Sequence, residues 1–131
     1  MSLQTKTPRI ERELSDLRDK NPGLFYVVMA ANVFMEGRFG KSLTVTCIFR
    51  TPEENTALYT PNPEPTWRPH TVWEGVDLRT KDLTQLEKDS LTGFLTQFRV
   101  YRGKKVCFKI HTIAGNVEHA HVQMEKPTSQ S

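Results

Sequence analysis

The chain has few cysteines, no long hydrophobic run and none of the common short catalytic motifs. Two cysteines among 131 residues cannot form the disulfide framework of a small secreted domain, so we expect Cys47 and Cys107 to be free thiols. No apolar run approaches the roughly 20 residues that a membrane helix needs. Because the N-terminal segment carries charges where a signal peptide would be apolar, we expect an intracellular protein, cytoplasmic or nuclear, without membrane contact.

The missing motifs also limit the enzymatic chemistry that the chain can be expected to perform. There is no glycine-rich phosphate loop, no GxSxG nucleophile elbow and no CxxC pair. With 37% hydrophobic and 25% charged residues, the composition is that of an ordinary globular protein. We therefore expect a small binding protein rather than an enzyme, and no obligatory cofactor.

The C-terminal third predicts a β-hairpin. Apolar and polar residues alternate from Val106 to His111, which is the period of a half-buried strand. A three-residue loop at 114–116, centred on Gly115, suits the reversal that follows. The predicted pairs are Phe108 with Val122, Lys109 with His121, Ile110 with Ala120, His111 with His119, and Ile113 with Val117. One face of the hairpin is then apolar, and the other carries histidines and positive charge.

The rest of the chain predicts helices and further strands. Thr7 and Pro8 start a helix over 8–20. The apolar run 24–35 is interpreted as a central strand covered on both faces. An amphipathic strand follows over 43–49, then a short strand at 72–76.

A second helix begins near Asp82 or, one turn later, at Thr84, whose spacing to Glu87 is that of a capping box. Together these elements predict an α+β fold with a four- to six-stranded, mainly antiparallel sheet and two helices packed on one face. Residues 1–126 form the single domain of this prediction, and 127–131 form a disordered polar tail.

The leading functional hypothesis concerns a run of basic residues that contains no acid. Aromatic and basic side chains on an antiparallel sheet can hold RNA or single-stranded DNA by stacking and by phosphate contact. The predicted nucleic-acid-binding residues are Arg99, Tyr101, Arg102, Lys104, Lys105 and Lys109.

The alternative hypothesis is a divalent metal site in the hairpin. His119 and His121 are two residues apart on a strand, so their rings point the same way, and His111 faces His119. The segment HTIAGNVEHAHV resembles the metal-binding motif of the histidine-hydrophobic-histidine (HUH) endonucleases. This resemblance implies a metal-dependent phosphodiester enzyme that binds its cation through the three histidines, with a tyrosine nucleophile for which Tyr26 is the candidate. His70 is interpreted as a loop residue.

A third hypothesis is a structural or adaptor protein that acts by protein–protein contact. The proline-rich loop 51–71 is long and carries aromatic residues. The charged face of the helix over 8–20 offers a second docking surface. Either segment would then bind a protein partner.

Overall fold

The computed structural model describes residues 3–51, 53–54, 57, 69–98, 108–113 and 117–126, with the backbone alone for 69, 71, 108–113 and 117. The elements in chain order are β1 (Gln4–Thr5), α1 (Pro8–Lys20), α2 (Pro22–Phe39), β2 (Thr44–Cys47), a 3-10 helix (Pro69–Val72), β3 (Gly75–Arg79), α3 (Gln85–Leu95), β4 (Phe108–Ile113) and β5 (Val117–Gln123). The fold is therefore α+β, as predicted.

The apolar run 24–35 is a helix and not a strand, so this prediction is wrong. It lies within α2, which is capped by the Asn21 side chain and ends at Gly40, whose φ of 68° is favourable for glycine. Its buried residues pack where α2 contacts α1, α3 and β5, whereas Tyr26 and Val33 on its remaining face are exposed. Its one polar residue, Asn32, is buried and accepts a hydrogen bond from the Leu43 backbone N–H.

The sheet is mixed. Its strand order is β1-β2-β3-β5-β4, and in the described residues only the short β1–β2 pair is parallel. The predicted hairpin is confirmed pair by pair in β4 and β5, although its turn at 114–116 lies outside the described residues. The predicted sheet of mainly antiparallel strands with two helices is thus met only in part, because a parallel pair joins it and the described part of the chain holds three α-helices.

In the described residues, a hydrophobic core lies between the helices and one face of the sheet. Val45, Leu78 and Val122 contribute to it from the strands, and Leu17, Met35 and Leu91 are examples from the three helices. Burying a large aliphatic side chain contributes about 1.5–3 kcal/mol each, so this layer supplies most of the folding energy. Within the described ranges, no helix has both the length and the apolar character that crossing a membrane would require.

Asn21 forms the junction between α1 and α2. It ends the first helix and caps the second, where its side-chain oxygen accepts from the Leu24 backbone N–H. Its side-chain N–H groups donate to the backbone carbonyls of Trp73, at 3.0 Å, and Met124, at 2.8 Å. A buried amide thus connects the helical layer to the segments that flank β3 and β5.

Candidate metal centre

Pairing between β3 and β5 brings a carboxylate opposite the histidines of the hairpin. Asp77 pairs with His121, and His119 lies two residues away on the same face of β5. Because side chains alternate along a strand, Asp77 faces away from its neighbours Val76 and Leu78, which are buried in the core. The three polar side chains therefore share the sheet face that is turned away from the helices.

A third histidine of this centre comes from the 3-10 helix. The backbone carbonyl of His70 accepts a hydrogen bond from the Arg50 N–H at 3.2 Å. Trp73, at the entry to β3, has a φ of 62°, which is unfavourable for a bulky residue. Its ring stacks on Phe49 with centroids 4.7 Å apart, and this contact helps to hold the strained turn. The turn lets the chain place His70 against the strand that carries Asp77.

Three imidazole nitrogens converge on one carboxylate oxygen. Oδ1 of Asp77 lies 2.9 Å from Nδ1 of His121, 3.2 Å from Nε2 of His70 and 3.5 Å from Nε2 of His119. The exposed fractions are 5% for Asp77, 2% for His70 and 7% for His119. Because a buried charge is costly unless a counter-charge or a metal compensates it, this arrangement requires positive charge near Oδ1.

The hydrogen bonds of His70 determine which of its nitrogens faces the carboxylate as an acceptor. Nδ1 lies 3.0 Å from the backbone carbonyl oxygen of Ile48, which only accepts hydrogen bonds, so Nδ1 carries a proton. In the neutral ring, Nε2 is then a lone pair directed at Asp77. Nε2 is buried and has no hydrogen-bond partner in the described parts of the chain. Two acceptors 3.2 Å apart require a cation between them, either a proton or a metal ion.

In the metal-free centre, the pKa shifts of His70 and Asp77 indicate that the cation between them is a proton. Burial alone would lower the pKa of His70 and raise that of Asp77. The attraction between their opposite charges, together with the hydrogen bond between His121 and the carboxylate, is stronger than the effect of burial. It raises the pKa of His70 above its ordinary value and holds the pKa of Asp77 well below its usual range.

His121 is oriented from both sides. Its Nδ1 lies 2.9 Å from Asp77, and its Nε2 lies 2.9 Å from Oε1 of Gln123. Metal-binding histidines typically donate their second ring N–H to a carbonyl or amide oxygen in this way, which fixes the tautomer and the ring orientation. His70 has the same arrangement with Ile48. Both rings therefore direct one nitrogen at the carboxylate and are held through the other.

Cys47 lies at the edge of this cluster. Its Sγ is 3.7 Å from Nδ1 of His70. Potential ligand atoms of Cys47, His70 and Asp77 all lie within 4.8 Å of one another. The thiol also lines a cavity of about 390 Å³ whose walls include Lys6 and Arg50.

The structure describes only part of the sites that the sequence predicted. His119 and His121 lie together in the centre, whereas His111 pairs with His119 through the backbone and its side chain is outside the described residues. Tyr26 lies on the exposed side of α2, with 75% of its surface exposed. The hydrophobic core separates it from the candidate metal centre. The predicted nucleic-acid-binding residues lie outside the described part of the chain: Arg99, Tyr101, Arg102, Lys104, Lys105 and the side chain of Lys109. Nucleic-acid contact through them stays a prediction.

Sequence reasoning missed His70 and Asp77. His70 follows a proline in an irregular segment, so no periodicity marked it. Asp77 carried a usable signal, because a carboxylate between Val76 and Leu78 in a strand must lie on a different face from its neighbours. The pairing of that strand with β5, which brings the carboxylate to the histidines, is not visible in local patterns.

Comparisons of the chain with protein-family models, with curated proteins and with solved structures find no match.

Proposed function

We propose that this protein is a metal-dependent hydrolase, with the cation held by Nε2 of His70, the carboxylate of Asp77 and Nδ1 of His121. The observation that carries the proposal is the convergence of buried imidazole nitrogens on Oδ1 of Asp77, at 2.9 to 3.5 Å. The Ile48 carbonyl adds support, because it leaves the His70 lone pair facing the carboxylate. A metal ion would take the place of the proton now shared there.

Zinc fits this ligand set best. Imidazole nitrogen with carboxylate oxygen suits zinc, whereas magnesium and calcium prefer all-oxygen sites. Catalytic zinc sites use three protein ligands and leave one position for water, whose pKa the metal lowers to about 7. Two histidines and one carboxylate supply those three ligands here.

The favoured reaction is hydrolysis of a peptide or related amide bond. Single zinc ions held by two histidines and one carboxylate occur in zinc peptidases. Phosphodiester cleavage commonly uses two metal ions about 3.5–4 Å apart. In the described residues, Asp77 is the one carboxylate among the three histidines, which suits a single ion. The geometry thus favours amide chemistry over the phosphodiester chemistry that the hairpin motif implied.

His119 is assigned to proton transfer beside the metal. Its Nε2 is the farthest of the three nitrogens from Oδ1 of Asp77, at 3.5 Å. With a metal ion held by the other three residues, the ring would lie beside it, where it could exchange a proton with the attacking water or the leaving amine. His70 and His121 would then position the ion, and Asp77 would neutralise its charge.

Zinc titration of metal-free variants tests the ligand set. His70→Gln and Asp77→Asn are expected to weaken zinc binding roughly 100-fold or more, since loss of even an outer-shell partner costs 10- to 100-fold. His111→Gln is the matched control, and it should retain wild-type affinity. Isothermal calorimetry and the zinc content of purified protein provide the measurements.

Two outcomes would contradict the assignment. If His111→Gln abolishes zinc binding while His70→Gln does not, the ligands are the three hairpin histidines. If the wild-type protein binds no zinc, the hydrolase proposal fails. His119→Gln should keep zinc bound, and a loss as large as that of His70→Gln would make His119 a ligand instead.

A further inference from the structure

A β-bulge in β2 turns Cys47 toward the candidate metal centre. Val45 pairs with Leu78 and Cys47 pairs with Asp77, so Thr46 is an extra residue in the ladder. Without that residue, Cys47 would share the core-facing side with Val45, because side chains two residues apart on a regular strand point the same way. With it, Cys47 lies on the same sheet face as Asp77.

The position of the thiol matches that of a ligand. Its Sγ lies 3.7 Å from Nδ1 of His70, the nitrogen held by the Ile48 carbonyl. Cys47, His70 and Asp77 each offer one potential ligand atom, and these atoms all lie within 4.8 Å of one another. Two ligand atoms that each lie 2.0–2.3 Å from one zinc ion are separated by less than 4.8 Å. Small side-chain rotations would therefore bring the three ligand atoms onto one ion. Nε2 of the same ring faces Asp77 and is buried without a hydrogen-bond partner in the described residues.

The thiol is also partly exposed, unlike its two neighbours in the centre. Cys47 is only partly buried and lines the 390 Å³ cavity, whereas His70 and Asp77 are nearly fully buried.

We propose that Cys47 is a fourth ligand of the metal ion, taking the coordination position that a hydrolytic water would otherwise occupy. This inference rests on the metal centre proposed above. On binding, the thiol loses its proton to solvent and a metal–sulfur bond forms, with no change of oxidation state. The resting centre is then closed, and substrate must displace the sulfur to open it. A thiolate also makes the site selective for thiophilic ions, zinc and cadmium, over manganese and magnesium.

Cobalt substitution tests this proposal directly. Co²⁺ replaces zinc in tetrahedral sites, and a cobalt–thiolate bond produces a ligand-to-metal charge-transfer band in the near ultraviolet that nitrogen and oxygen ligands do not produce. Cobalt-loaded wild-type protein and Cys107→Ser, in which Cys47 is the only thiol, should show this band. Cys47→Ser should lack it while retaining the visible absorption of bound cobalt.

The outcomes separate the two proposals. Bound cobalt without a thiolate band in the wild-type protein overturns the role of Cys47 and leaves the metal site intact. If the band is lost in Cys107→Ser and kept in Cys47→Ser, the cobalt–thiolate bond belongs to Cys107. That result also overturns the proposed role of Cys47. If no cobalt or zinc binds at all, the metal centre itself fails. The Cys107→Ser spectrum decides the question even if Cys47→Ser does not fold.

Metal preference provides a second measurement. Cys47→Ser is expected to lower cadmium affinity about 10- to 100-fold, as loss of a supporting interaction at a metal site does, and to leave manganese affinity nearly unchanged. An equal loss for both ions contradicts thiolate ligation, because a general distortion of the site would weaken both.

Discussion

At the scale of single residues, the proton between His70 and Asp77 and the proposed metal ion compete for one position. The Ile48 carbonyl holds the His70 ring so that only Nε2 can receive either cation. Metal binding at such a site releases protons, because the ligands must be deprotonated. The metal-free and metal-bound proteins should therefore respond differently to pH.

The raised pKa of His70 gives the sign of this response. A histidine whose folded pKa exceeds its ordinary value of 6.5 contributes stability that is complete below pH 6.5 and is lost as the pH rises through the raised value. At neutral pH His70 is thus protonated in the metal-free protein, and zinc binding should release about one proton or more. Calorimetric titration at pH 7 in two buffers of different ionisation enthalpy measures this number, and no dependence on the buffer would contradict the shared site.

At the scale of elements, the ends of α3 test how far capping contributes to the fold. Thr84 and Glu87 form a reciprocal capping box, in which each side chain bonds the backbone N–H of the other, at 3.2 and 2.8 Å. Thr84→Ala should cost about 1 kcal/mol of unfolding free energy. Urea denaturation measures the loss, with the exposed Thr96→Ala at the other end of α3 as the control, expected within about 0.5 kcal/mol of wild type. Equal effects of both changes would argue against a specific cap.

Elements also differ in how well their sequence predicted them. The β4–β5 hairpin was predicted in the correct register because a period of two and the turn around Gly115 agree. The α2 segment was misassigned because an all-apolar run has no period, and its length and the Asn21-Pro22 start were the better guides. Two of the four residues assigned to the centre, His119 and His121, were found from local spacing. His70 and Asp77 were not, because tertiary pairing brings them to the hairpin.

At the scale of the whole molecule, the proposed metal ion connects segments that are far apart in the chain. His70 lies in the 3-10 helix, Asp77 in β3 and His121 in β5. An ion that binds only the folded arrangement stabilises it by mass action, about 4 kcal/mol at a concentration 1,000 times its dissociation constant.

We therefore expect zinc to raise the melting temperature by roughly 10 °C or more for a chain of this size. Differential scanning calorimetry of metal-free protein with and without zinc measures the shift. His70→Gln provides the control and should lose most of it. A shift of the same size in both proteins would place the stabilising ion elsewhere.

The buried amide of Asn21 has a consequence for the order in which the chain assembles. The two carbonyls that accept its hydrogen bonds belong to residues 52 and 103 positions further along the chain. The α1–α2 corner can form from local contacts, but its polar side chain is satisfied only when both distant segments have arrived. Closing loops of that length costs entropy before the long-range contacts that compensate it have formed. The hydrogen bonds of the Asn21 side chain are therefore expected to form late in folding.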